Sequence, residues 1–228
     1  MKDSERDGLL LVLAAASGSA DGWSYFGLAH SFVANMTGNT VLLGISIFHT
    51  HGDIVHPLLA IAGYVAGVGV GTLICRNVPE GATWARPVSG TLFIEALLLL
   101  AAEAAWVATG QHLAPTTGST LLAVVALAIG IQSAAMLQLK VPGVVTTYIT
   151  GTWTLLANGL TLLAARHPRV VRQKPRFEER FLLQGVVLAV YFLSAVVTGW
   201  AFRHAPPVVG AISAVCVLVA AAYGALRL

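Results

Sequence analysis

In this 228-residue chain the stretches 54–75, 104–139, 141–165, 181–202 and 204–226 contain no Asp, Glu, Lys or Arg. Each reaches the roughly 20 apolar residues that a helix needs to cross the hydrocarbon of a bilayer. In that medium a helix satisfies its own backbone groups, which an irregular segment does not. Charged residues make up only 10% of the chain and its mean hydropathy is +0.79, against about 25% charged residues in an ordinary soluble domain. The expected fold is therefore all-α, a polytopic transmembrane bundle forming one integral membrane domain over 1–228. The bilayer is its first partner.

The net charge of +3 does not indicate nucleic acid, because the basic residues lie in loops beside apolar segments, where membrane topology accounts for them. Cys75 and Cys216 have no metal or redox spacing and read as small buried hydrophobes. At the N-terminus, Lys2 and Arg6 precede the apolar run 9–16 and a small-residue stretch, as in a signal peptide. The mixed charge, and the repeat described next, favour a genuine first helix.

Eight apolar segments follow in two sets of four: about 8–28, 31–48, 54–75 and 88–109, then 116–138, 143–165, 181–202 and 205–226. The second segment of each set carries a Thr-Gly pair, Thr37-Gly38 and Thr150-Gly151, 113 residues apart and surrounded by hydroxyl and amide side chains. If all eight segments cross and the N-terminus is inside, nine Lys/Arg lie inside and four outside. If the two Thr-Gly segments instead enter and leave on one side, twelve lie inside and only Arg203 outside. The second arrangement fits the positive-inside rule far better. It predicts two inverted-topology repeats (about 8–109 and 116–226), each with three spanning helices and one broken, re-entrant segment, and with both termini cytoplasmic. That is the plan of many secondary transporters, whose broken helices meet near the midplane.

Asp21, the run from Phe32 to Asn39 with its Asn-Met-Thr-Gly-Asn core, Gly130-Ile131-Gln132 and Thr146-Thr147-Tyr148-Ile149-Thr150-Gly151 resemble the YoaK family, over essentially the whole chain. The resemblance implies a multi-pass protein of the bacterial cytoplasmic membrane, of uncharacterised function. One departure is Ser133, where the family pattern leads one to expect Asn after Gln132.

The polar residues inside apolar segments are the site candidates. Asn35, Thr37, Gly38 and Asn39, with Thr147, Thr150 and Gly151 from the second copy, are expected to bind a solute: freed N–H groups at a helix break suit an anion, and unwound carbonyls suit a cation. The competing role is helix packing through Thr, Asn and Gly. Asp21 and Gln132, each upstream of its Thr-Gly pair, and Glu95 are candidates for proton or ion coupling. Glu103, eight residues beyond Glu95, reads as a carboxylate near the outer end. His49, His51, Asp53 and His56 cluster in an outer loop, but their spacing closes no structural metal site. There is no GxSxG, HExxH, Walker or dinucleotide-turn motif. The expectation is a transporter-like protein, not an enzyme, with no cofactor or metal. It would bind a small polar or anionic solute, with possible proton coupling and a possible homodimer. The alternative is a non-transporting module that packs with a partner or lipid.

Overall fold

The computed structural model describes residues 1–48, 53–79, 81–110, 113–139, 149–165 and 174–227. All regular structure among them is helical: α1 (Asp3–Trp23), α2 (Met36–Phe48), α3 (Val55–Cys75), α4 (Arg86–Ala108), α5 (Pro115–Gln138), α6 (Ile149–Ala164), α7 (Lys174–His204) and α8 (Val209–Leu226). Five of the described helical stretches are long and apolar enough to cross a membrane: α3, α4, α5, the 179–204 part of α7, and α8 with the 3-10 turn before it.

Local chemistry explains the ends. Pro87 and Pro115 stand in the first turns of α4 and α5, where a missing N–H costs nothing. Gly81 and Gly110 take the turns at φ 78° and 62°. The break after α1 is built in steps. The Ser24 hydroxyl donates to the Asp21 carbonyl at 3.1 Å, and the helix widens to a π-helix over Ser24–Ala29. His30 then turns left-handed at φ 51°, and residues 31–35 stay non-helical until α2 begins. Asn35 caps that restart, its Oδ1 accepting from the Gly38 N–H at 3.1 Å.

At 1.5 Å per residue, the 13 residues of α2 span about 20 Å, short of the roughly 30 Å hydrocarbon core. Both flanks of this segment return to one place. The Leu28 carbonyl lies 3.0 Å from where a Cβ on Gly118 would stand, and the His56 Nε2 lies 3.0 Å from the Ser119 hydroxyl. Gly118 and Ser119 are neighbours in the first turn of α5, so the chain from 28 to 56 leaves and rejoins the bundle at the same end.

The helices pack in matched ways. α3 lies along α5 and α7 along α1, α4 contacts α5 while α8 contacts α1, α2 leans on α3 and α6 on α7, and α4 pairs with α8. Missing side chains permit two close crossings. A Cβ on Gly18 would come within 2.4 Å of the Tyr191 carbonyl, and one on Gly130 within 2.2 Å of the Tyr64 carbonyl. Gly67 approaches the Leu127 backbone still more closely, at 2.0 Å on the same measure. Such contacts give helices surface to grip where lipid offers no hydrophobic drive. α1 and α5 form the core, with Leu10, Leu13, Trp23, Leu122, Val125 and Ile129 essentially sealed.

Candidate functional site

A cavity of about 370 Å³ opens where the two Thr-Gly segments approach each other. From the first break it takes Ala34, Asn35, Met36 and Thr37, and from the start of α6 it takes Ile149 and Thr150. Tyr64 of α3, Tyr191 of α7, and Ser133 and Leu137 of α5 complete the wall.

Asp21 stands behind this wall, 5% exposed. Its Oδ1 accepts from the N–H groups of Val33 and Ala34, each at 2.7 Å, and its Oδ2 accepts from the Tyr191 hydroxyl. One carboxylate thus holds the unwound backbone before α2 and ties it to α7. Charge-assisted bonds of this kind are roughly twice as strong as neutral ones, and the two N–H groups would otherwise be buried without partners.

The sequence candidates fall into distinct places. Asn35, Thr37 and Thr150 line the cavity together. Gly38 lies just beyond, donating its N–H to Asn35. Asn39 is fully buried and braces the break from within: its amide donates to the Phe32 carbonyl at 2.6 Å, and its Oδ1 accepts from the Phe32 N–H at 2.9 Å. Gly151 is buried at the start of α6. Thr147 lies outside the described residues, as do His49 and His51. Gln132 is buried between helices, donating to the Ser17 hydroxyl at 2.9 Å and to the Leu13 carbonyl at 3.3 Å. It joins α5 to α1 and is not on the cavity wall. Glu95 is sealed in α4 with no hydrogen-bond partner among the described residues. Glu103 accepts from the Gly210 N–H at 3.1 Å, at the start of α8. Asp53 takes up His56, through its ring and through its backbone N–H at 3.2 Å.

Sequence reasoning did not single out Tyr64 and Tyr191. The signal was present: each stands ten residues past the start of its apolar segment, 54–75 and 181–202, the third member of each set of four. Ser133 was noted only as a departure from a pattern, yet it is on the wall.

No solved structure matches the chain. Among curated proteins, the UPF0700 transmembrane protein YoaK of Bacillus subtilis (strain 168) is 29% identical over 197 residues, covering 86% of this chain and 84% of the relative. The family described as "Protein of unknown function (DUF1275)" matches residues 9–224. With helices that can cross a bilayer and a relative named as transmembrane, the chain is a multi-pass helical membrane protein that belongs to the DUF1275 family.

Proposed function

We propose that this protein binds a small polar or anionic solute in the cavity between its two Thr-Gly segments and carries it across the bacterial cytoplasmic membrane, with Asp21 as the coupling carboxylate. The observation that carries the reading is the cavity itself. Segments more than a hundred residues apart converge on it, and Thr37 and Thr150 both reach its wall. A module that used these segments only for packing would close that space with mutual hydrogen bonds.

The architecture in this reading is two inverted repeats with both termini inside. The matched packing supports it: exchanging α1 with α5, α2 with α6, α3 with α7 and α4 with α8 turns each observed pairing into another observed pairing. The glycine contacts set a register, Gly18 to Tyr191 and Gly130 to Tyr64. In that register Asp21 corresponds to Ser133, one residue beyond Gln132. The return of residues 28 and 56 to one end of α5 agrees with a first Thr-Gly segment that enters from the outer face. The cavity then lies near the midplane, and alternating access is a rocking of one repeat against the other.

The test is accessibility. In a background with Cys75 and Cys216 replaced by Ala, Asn35→Cys or Thr150→Cys is exposed to a membrane-impermeant thiol reagent in oriented vesicles. Labelling from one face at a time, with a rate that a bound solute changes, is the expected result. No labelling from either face, in protein that remains folded, sinks the reading.

A further inference from the structure

The cavity presents two phenols that are not equivalent. The Tyr191 hydroxyl is committed, donating to Asp21 Oδ2. The Tyr64 hydroxyl has no hydrogen-bond partner among the described residues, and its residue forms part of the wall. Asp21 itself is not on the wall, and two backbone N–H groups and Tyr191 occupy its oxygens. The carboxylate therefore withholds one phenol from the solute and keeps its own charge out of the cavity. Tyr64 is left as the free phenolic donor.

The rest of the wall narrows the class of solute. Among the described residues its polar groups are hydroxyls and one amide, with no Lys, Arg or His. At the start of α2 the Gly38 N–H goes to Asn35 Oδ1 and the Asn39 N–H to the Asn35 carbonyl, while those of Met36 and Thr37 have no partner among the described residues. The start of α2 carries about half a positive charge, which favours one negative charge on a solute. A second negative charge would meet no cation among the described wall residues, and a buried charge without a partner is costly. A cationic solute would meet the wrong sign. Ala34, Leu137 and Ile149 offer apolar surface for the remainder of the molecule.

We propose that the cavity takes a small monocarboxylate with a short apolar body, and that the Tyr64 hydroxyl is the donor that selects it. This rests on the solute-site reading above and can fail separately from it.

The experiment follows thermal unfolding of the purified full-length protein in detergent, titrated with propionate, inorganic phosphate, propionamide and methylammonium. Propionate is expected to raise the midpoint saturably, and the other three to leave it in place. Tyr64→Phe is expected to weaken propionate about 10-fold or more, as loss of a hydrogen bond to a charged group does, with the unliganded midpoint unchanged. Tyr191→Phe is expected to lower the unliganded midpoint and to leave propionate affinity within about 3-fold, since that phenol faces Asp21. The proposal is overturned if Tyr64→Phe binds propionate as wild type does, if another probe stabilises more strongly than propionate, or if no probe shifts wild type. The variant Thr37→Val/Thr150→Val separates the two levels. If it loses a probe that Tyr64→Phe retains, the cavity stands and the Tyr64 assignment falls. If it too binds propionate as wild type does, both fall. If no probe binds at all, the cysteine labelling decides the cavity reading independently.

Discussion

The crossing of α1 with α7 and that of α5 with α3 are alike in their backbones and different in their chemistry. Each is seated by a glycine against a tyrosine carbonyl, Gly18 on Tyr191 and Gly130 on Tyr64. At the first crossing an aspartate reaches one turn further and gathers two N–H groups and a phenol. At the second a serine stands on the cavity wall, its hydroxyl donating to the Ile129 carbonyl at 3.0 Å. A matched scaffold thus carries an unmatched pair of polar groups. One side is pinned, and at the other the Tyr64 hydroxyl has no partner among the described residues. The geometry common to both serves assembly, and the difference between them is where solute recognition can reside.

The largest effect should come from what the crossings share. Gly18→Val and Gly67→Val each force a side chain into a neighbouring backbone, at Tyr191 and Leu127 respectively, which cannot swing aside as a flexible side-chain end can. Overpacking typically costs about 1–3 kcal/mol and more where nothing can move. Both variants are expected at or beyond the top of that range, read as loss of monodisperse protein after extraction and a collapsed thermal midpoint. If one is tolerated and the other is not, the crossings are less alike than their backbones indicate.

Next comes the carboxylate that distinguishes them. Asp21→Ala leaves the Val33 and Ala34 N–H groups and the Tyr191 hydroxyl without their acceptor. Removing one partner of a buried charged network costs about 3–5 kcal/mol. Ser133→Ala removes a hydroxyl at the matching place and is expected to cost about 1 kcal/mol. Thermal midpoints of the two variants in the same detergent check this. Equal losses would mean that Asp21 does not pin the break.

The tyrosines sharpen the contrast further. Tyr191→Phe deletes a donor to a buried carboxylate and is expected to cost about 1.5–3 kcal/mol. Tyr64→Phe deletes a hydroxyl with no partner among the described residues and is expected to change the unliganded midpoint by less than about 0.5 kcal/mol. Comparable losses at the two positions would show that Tyr64 has a structural partner of its own.

Much of this molecule was legible in its sequence because hydrocarbon is so restrictive a solvent. Charge-free runs must become helices, and Thr37-Gly38 stands in the first turn after the break that precedes α2. Asn35, Thr37 and Thr150 were recognisable on that ground, since polar side chains in such runs need a reason. The limits were equally physical. Asn39 looks like Asn35 in sequence, yet four residues along it turns inward to Phe32 and stabilises the break from behind. Gln132 reads as the partner of Asp21 by sequence, whereas in the proposed repeat the glycine contacts favour Ser133, one residue further on. Tyr64 and Tyr191 were hidden because an aromatic ring in a transmembrane segment is ordinary. Only their common distance from the segment starts set them apart. The role of Asp21 as an acceptor for backbone N–H groups twelve and thirteen residues away could not be read from periodicity, because the intervening chain is irregular.

The smallest expected effect lies at the far end of the α3–α5 pair, which has no carboxylate at the cavity but has Asp53 at the mouth of α3. Its carboxyl is half-exposed. Partial burial pushes its pKa up, but hydrogen bonds from the His56 ring and backbone N–H, together with the charge of that ring, outweigh burial and hold it below its ordinary value of 3.8. A carboxylate with a depressed folded-state pKa contributes stability that is present above the unfolded value and is lost as pH falls through the folded one. Screened by solvent, this is worth less than about 1 kcal/mol. His56 passes the constraint to Ser119 of α5, so the link joins the two helices near the starts of both. Asp53→Asn is therefore expected to lower the thermal midpoint slightly at pH 6, and the gap from wild type should shrink once the pH is taken well below 3.8. A gap that stays constant across that range would show that Asp53 acts as an uncharged helix cap, and the α3–α5 pair would then owe nothing to charge at either end.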